Sequence, residues 1–175
     1  KNSCARFLIE LGADCETLTV AGDTPLFTAV ANGHVGCARA LLEMGAPPAG
    51  NAPDDPPLHV PAENDRIGCL ELLLEKGGKI NAQNCTGKTP LLVAAENGLV
   101  ESASLLLKGG ADIDAPNDWG GTPLFVAAAN SHSHCARLLV DNGADCEKPT
   151  RCGCTPLIRA ARRRDLDVVT ILLAA

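Results

Sequence analysis

The 175-residue chain repeats itself about every 33 residues, and this periodicity restricts its fold more than any other feature. The triplet Thr-Pro-Leu begins at residues 24, 89, 122 and 155, and Pro-Pro-Leu takes its place at residue 56. A glycine follows each leucine-rich run, at residues 12, 45, 77, 110 and 143. Both markers advance in steps of 33 residues with a single step of 32, which predicts a row of similar units.

Each unit is predicted to be a helical hairpin followed by a connector. Threonine can cap a free backbone amide, and proline suits the first helical position because the hydrogen it lacks would be unbonded there. Pairs such as Asn32-Gly33 and Asn97-Gly98 should end the first helix, because these residues tolerate left-handed backbone. A second helix with apolar residues at helical spacing then runs to the marker glycine. One such hairpin buries too little surface to be stable alone, so the units must stack.

These residues resemble the ankyrin repeat family. The resemblance rests on Gly22-Asp23-Thr24-Pro25-Leu26, on Asn32-Gly33-His34, and on the stretch LLVDNGAD over residues 138–145. It implies an all-α fold, an α-solenoid of stacked helix-turn-helix repeats whose connectors form β-hairpin-like fingers. It also implies that the finger tips and a concave face lined by the first helices together bind a partner protein or peptide.

We expect a single array over residues 1–175. It comprises half of a leading repeat, four repeats and a truncated last repeat, over residues 1–18, 19–50, 51–82, 83–115, 116–148 and 149–175. Apolar residues such as Phe7 and Leu172 lie at the two boundaries, where solenoids usually carry polar faces. The chain is therefore expected to be part of a longer array.

One repeat departs from the others, because six of the twelve prolines lie between residues 47 and 61. Pro61 takes the slot that holds alanine at residues 29, 94, 127 and 160. Inside a helix, proline removes a backbone hydrogen bond and costs about 3 kcal/mol. We expect this repeat to be the softest in the stack, either as a functional hinge or through drift in a tolerant internal repeat.

Composition argues against several classes of function. The net charge is −6, and Phe, Trp and Tyr number 3, 1 and 0, so a surface that stacks nucleic-acid bases has few rings to use. The sequence contains no apolar run long enough to span a bilayer and no secretory signal pattern. We therefore expect a soluble monomer with no nucleic-acid partner and no membrane insertion, in the cytoplasm or alternatively the nucleus.

The cysteines follow the repeat instead of a disulfide or metal pattern. A recurring slot on the second helix holds Cys4, Cys37, Cys69, Ser102, Cys135 and Val168. His132, His134 and Cys135 form a cluster of ligand types, but zinc needs four convergent ligands and the repeat register points these side chains apart. Cys152 and Cys154 have no further ligands nearby in the sequence. No metal, cofactor or catalytic residue is expected; the alternative, a metal-dependent enzyme, would be excluded by finding no zinc in the purified protein.

The predicted function is non-enzymatic protein binding by positions that vary between copies. Trp119 lies on a finger, where an exposed tryptophan would be a typical binding hot spot, although its ring could instead lie flat on the neighbouring finger. Several arginines lie between residues 151 and 164 without an acidic residue. Such a run is most often a solvated face; the alternative is a docking site for an acidic peptide at that end. The predicted partner-binding residues are Lys88, Glu96, Asn97, Asp118, Trp119, Asn130, Arg151, Arg162 and Arg163.

A second hypothesis keeps the fold and changes the role. Residues 89–112 and 122–145 resemble repeats of the ankyrin and SOCS-box proteins. In this alternative the chain is the substrate-recruiting segment of a cullin-type ubiquitin ligase adaptor, with the SOCS box outside these residues.

Overall fold

The computed structural model describes residues 18–19, 23–48 and 58–175, and these residues form ten α-helices and no strand. The helices alternate as first and second members of five hairpins, so the predicted all-α repeat fold is confirmed. The chain divides into two compact units, Lys1–Lys79 and Ile80–Ala175. Within the described ranges, no helix has the length and apolarity that crossing a bilayer requires.

Each unit is a stack of helical hairpins. The first unit contains α1 (Pro25–Ala31), α2 (Val35–Glu43), α3 (His59–Glu63) and α4 (Ile67–Glu75). The second contains α5 (Pro90–Glu96), α6 (Val100–Lys108), α7 (Pro123–Ala129), α8 (Ser133–Asp141), α9 (Pro156–Arg163) and α10 (Leu166–Leu173). In the second unit α7 packs between α5 and α9, and α8 packs between α6 and α10. Within the second unit, the first helices therefore form one layer and the second helices the other.

Local hydrogen bonds explain where the first helices begin and end. In four of the described hairpins a threonine hydroxyl accepts from the amide three residues later, as Thr122 does from Phe125 at 3.2 Å. Proline occupies the first turn of each of these helices, as predicted. The reversals that follow the first helices have positive φ, at Gly33, Asp65, Gly98, Ser131 and Arg164.

Small side chains in the core let the helices approach closely. Ala94, Ala127 and Ala160 are fully buried on the first helices of the second unit. The recurring slot on the second helices is buried too at Cys69, Ser102, Cys135 and Val168, while Cys37 is half-buried and Cys4 lies outside the described residues. Burial raises the pKa of the Cys135 thiol to about 11. This cysteine therefore stays protonated at neutral pH and packs as a small apolar side chain.

The proline-rich repeat contains the shortest of the described helices. Pro61 lies inside α3 and is buried, but α3 begins at His59, so Pro61 is its third residue. The first four amides of a helix have no acceptor within it, and the predicted loss of a helical hydrogen bond is therefore wrong. In the repeat register, α3 starts two residues later than the equivalent helix α5. Prolines 53, 56 and 57 lie outside the described residues.

Replacing Pro61 should test this account of the short helix. Pro61→Ala is expected to change the free energy of unfolding by less than about 1 kcal/mol, because no helical hydrogen bond is regained. Ala127→Pro, at the matching slot of α7, removes an interior amide and is expected to cost about 3 kcal/mol or more. Urea unfolding followed by circular dichroism measures both variants. A gain near 3 kcal/mol for Pro61→Ala would contradict the observed helix start.

Candidate functional site

Three connector fingers of the second unit share one closed turn. We call them finger 1 (residues 84–88), finger 2 (117–121) and finger 3 (150–154). In each, the amide of the first residue donates to the carbonyl of the fifth at 3.0 Å. The Asn117 side chain accepts from the amides of Trp119 at 3.1 Å and Gly121 at 2.9 Å, and Asn84 plays the same part in finger 1. The tips are thus hairpin-like turns held by their own hydrogen bonds.

Neighbouring fingers also contact one another. The Arg151 amide of finger 3 donates to the Trp119 carbonyl of finger 2 at 3.0 Å. Gly120 has a φ of +80°, and a β-carbon there would lie 2.9 Å from the Arg151 nitrogen. At Gly87, which also has positive φ, a β-carbon would collide with the Asp118 carboxylate. Glycine is therefore needed at these two positions for both backbone conformation and finger spacing.

The fingers line an open groove with a volume of about 830 Å³. The side chains that give the groove its chemistry are Cys85, Asp118, Trp119, Phe125, Arg151 and Arg159. Trp119 is 77% exposed, so its ring does not lie flat on the neighbouring finger. Phe125 is half-buried at the start of α7. The groove thus combines an exposed indole, a second aromatic ring and two guanidinium groups.

Three of the residues predicted from the sequence meet in this groove: Asp118, Trp119 and Arg151. Lys88 and Glu96 instead pair with each other, with 2.5 Å between Nζ and Oε2, and both remain partly exposed. This ion pair ties finger 1 to the end of α5.

The remaining predicted residues lie at the ends of first helices. Asn97 donates to the Val93 carbonyl at 2.9 Å and so caps α5. The Asn130 side chain donates to the Glu96 carbonyl at 3.1 Å, which joins two successive hairpins. Arg162 and Arg163 are exposed in the last turn of α9.

Sequence reasoning did not select Phe125 or Arg159 as site residues. Arg159 is half-buried, and its Nε atom is buried without a hydrogen-bond partner among the described residues. The sequence could have indicated Arg159, because it is the one charged residue at a repeat position that holds threonine at residue 28 and valine at residues 60, 93 and 126. The slot of Phe125 varies between aromatic, aliphatic and histidine side chains, and nothing in the sequence separates this copy from the others.

The cysteines of finger 3 differ in environment. Cys154 is buried, whereas Cys152 is exposed at the rim of the groove. The Thr150 hydroxyl lies 3.2 Å from the Cys152 sulfur and 3.2 Å from the Cys154 carbonyl oxygen, so these two acceptors share its one proton. The contact with Thr150 is the main cause that lowers the pKa of Cys152. The positive charge of Arg162 lowers it further. Cys152 therefore carries more thiolate near neutral pH than an unperturbed cysteine.

The histidine and cysteine cluster is not assembled as a ligand set. The His132 ring lies against Gly98 and donates from Nε2 to the Glu96 carbonyl at 2.9 Å. His134 is exposed, whereas Cys135 is buried. In the part of the chain that the structure describes, no three His, Cys, Asp or Glu residues form a group that could hold a metal ion.

Comparison with known families identifies repeats along the chain. A family model described as ankyrin repeats (3 copies) matches residues 49–117 and 110–175, and one described as ankyrin repeats (many copies) matches residues 1–55. A comparison with individual curated proteins finds no match. Neither matching model describes a SOCS box, so the adaptor hypothesis gains no support from the comparison.

Finger spacing can be tested with two glycine variants. Gly153→Ala should cost about 1 kcal/mol, because alanine is strained at its φ of +75° while nothing lies within 4 Å of the new carbon. Gly120→Ala should cost at least about 1 kcal/mol more, because the Arg151 backbone must also move. Chemical denaturation gives both values. Equal losses would show that the contact between fingers 2 and 3 does not constrain the fold.

The reactivity of Cys152 should depend on the Thr150 hydroxyl. Thr150→Val is expected to raise the Cys152 pKa and to slow its alkylation near pH ~7.5, because less thiolate is present. Thr150→Ser keeps the hydroxyl and serves as the control. Peptide mapping by mass spectrometry follows Cys152 separately from the other thiols. Once the pH exceeds every pKa, Thr150→Val should react at least as fast as the other two proteins, because a thiolate of higher pKa is the stronger nucleophile. A lower rate that persists there would point to altered access instead.

Proposed function

Because the chain belongs to the ankyrin repeat family, whose members are generally protein–protein interaction modules, we propose that it is a non-enzymatic scaffold for a partner protein. The proposed contact surface consists of the three fingers and the ends of the first helices in the second unit. The proposed contact residues are Lys88, Glu96, Asn97, Asp118, Trp119, Asn130, Arg151, Arg162 and Arg163.

The observation that carries this proposal is the exposure of Trp119 beside the groove. Trp119 has 77% of its surface exposed to water, and burying this largely apolar surface against a partner would stabilise the complex. Tryptophan is also among the residue types most enriched at binding hot spots. Trp119 is therefore the proposed centre of the contact.

The backbone that carries Trp119 is already held in place. Its amide donates to the Asn117 side chain, and its carbonyl accepts from the Arg151 amide. Binding then requires little ordering of the main chain, which favours affinity for a given contact area. The Lys88–Glu96 ion pair and the Asn130 hydrogen bond support the neighbouring part of the surface in the same way.

The proposed compartment is the cytoplasm, with the nucleus as the alternative. Cys37, Cys69, Cys85, Cys135, Cys146, Cys152 and Cys154 are the described cysteines, and all are free thiols. Free thiols at exposed positions such as Cys85 and Cys152 are typical of a reducing environment.

Removing the indole tests the proposed function. Trp119→Ala is expected to weaken partner binding by about 2 kcal/mol or more, roughly thirtyfold in the dissociation constant. The melting temperature should change little, because the side chain is exposed in the free protein. Lys108→Ala, on the exposed end of α6, is the matched control. Partners captured by the three proteins from a cell extract can be compared by quantitative mass spectrometry.

Two results would count against the scaffold proposal. If Trp119→Ala captures the same partners in the same amounts as the unmodified chain, the fingers are not the contact surface. If Trp119→Ala loses both binding and thermal stability, the indole has a structural role.

A further inference from the structure

We infer that the groove beside Trp119 binds an acidic linear peptide, in which a carboxylate pairs with Arg159 and a neighbouring apolar side chain packs against Trp119 and Phe125. This inference rests on the proposed protein-binding function and names the chemistry of the partner.

The first argument is the state of the Arg159 guanidinium. Its Nε atom is buried and makes no hydrogen bond within the described part of the chain. A buried donor without an acceptor is unfavourable, and a cationic donor more so. In the other repeats this slot is filled by threonine or valine, so the stack of helices does not require an arginine there. The Nε atom is covered by the protein, but Arg159 is half-buried and lines the groove, so a carboxylate that enters the groove would pair with the exposed part of the guanidinium. Arginine binds carboxylates with paired hydrogen bonds.

The second argument is the charge around the groove. Arg151 lies on its wall, and Arg162 is close enough to influence the Cys152 thiol at its rim. Arg151 and Arg159 form no salt bridge with any residue that the structure describes, and the sequence has no acidic residue from 148 to 164. Asp118 is the acidic residue of the groove, and its carboxylate lies against finger 1 at Gly87. The unbalanced positive charge therefore favours an acidic partner.

The third argument is the apolar surface and the shape of the groove. The Trp119 ring is exposed and the Phe125 ring is half-buried, so both are accessible to a ligand side chain. A volume of about 830 Å³ lies within the range of ligand sites, and the groove is open across three successive fingers. An extended peptide segment suits such an open groove. The bound peptide would carry an aliphatic or aromatic side chain next to the acidic residue that pairs with Arg159.

The composition of the chain favours a peptide over a nucleic acid as the acidic ligand. The net charge is −6, and Trp119 is the single tryptophan in a chain without tyrosine. Nucleic-acid binding depends on neutralising many phosphates and on stacking several bases. The two aromatic rings and two arginines of the groove instead suit a ligand with one or two carboxylates.

Selection from a random peptide library tests the inference. A dodecapeptide library displayed on phage is panned on the full chain, on Arg159→Gln and on Arg137→Gln. Arg137 is an exposed arginine of α8 that does not line the groove. Peptides selected on the full chain and on Arg137→Gln should place aspartate or glutamate beside an apolar residue, and Arg159→Gln should remove the acidic preference. A basic or uncharged consensus, the same consensus on Arg159→Gln, or no consensus would overturn the inference.

Synthetic peptides then test the predicted pairing directly. The consensus peptide, amidated at its C-terminus, is compared with the peptide in which amides replace the carboxylates, using the fluorescence of Trp119. Either the amide peptide or Arg159→Gln should weaken binding by about tenfold, and combining them should cause little further loss, because both remove the same contact. Additive losses would show that the carboxylate pairs elsewhere. Unchanged melting of Arg159→Gln, measured by circular dichroism, serves as the folding control.

Two further probes separate the sources of negative charge. A peptide with a free C-terminus and no acidic side chains tests a terminal carboxylate, and weak binding by it is expected. A single-stranded oligothymidylate tests a phosphate backbone, and displacement of the peptide by equal concentrations of this oligonucleotide would overturn the inference. If partner capture depends on Trp119 but library peptides carry no acids, the inference fails while the proposed function stands. If capture does not depend on Trp119, the proposed function itself fails.

Discussion

The stacking of short hairpins through small buried side chains is the constraint on which the rest of the structure depends. Helices of seven or eight residues such as α5, α7 and α9 are too short to be stable in isolation. They persist because alanine at Ala94, Ala127 and Ala160 leaves the first helices thin and lets each pack on the next. Threonine caps and proline set the start of these helices, so the stack keeps one register in the second unit.

This register determines where the fingers lie and what they present. Because α7 and α9 pack together, finger 2 and finger 3 approach closely enough for a direct backbone hydrogen bond. The approach is closer than a β-carbon at residue 120 would allow, so Gly120 helps to set the geometry of the proposed binding surface. The side chains at the tips, above all Trp119, can then vary without affecting the stack beneath them. At Trp119 the proposed recognition is thus separate from the stability of the stack, whereas Asn97 and Asn130 also hold the helices in place.

The sequence was sufficient for features that depend on local chemistry. The caps at Thr89 and Thr122 and the reversal at Gly98 follow from residue types within one hairpin, and the structure confirms them. The prediction for Pro61 was wrong because its effect depends on where α3 begins, and α3 begins at His59, two residues later in the repeat than α5.

Features that depend on contacts between residues distant in the sequence could not be predicted from residue types alone. The pairing of Lys88 with Glu96 requires finger 1 to lie over the end of α5. The groove position of Arg159 requires α9 to stack on α7 beside finger 2. The sequence did mark Trp119, but the choice between an exposed and a packed ring needed the structure.

The central claim is that the fingers form a binding surface that is ordered before any partner arrives. Hydrogen exchange of the Arg151 amide, measured by nuclear magnetic resonance in the free protein, tests this claim most directly, because that amide bonds finger 3 to the Trp119 carbonyl. We expect its exchange to be slower than in an unstructured peptide by more than about tenfold. Exchange at the unstructured rate would show that the fingers are not held together in the free chain and would contradict the account.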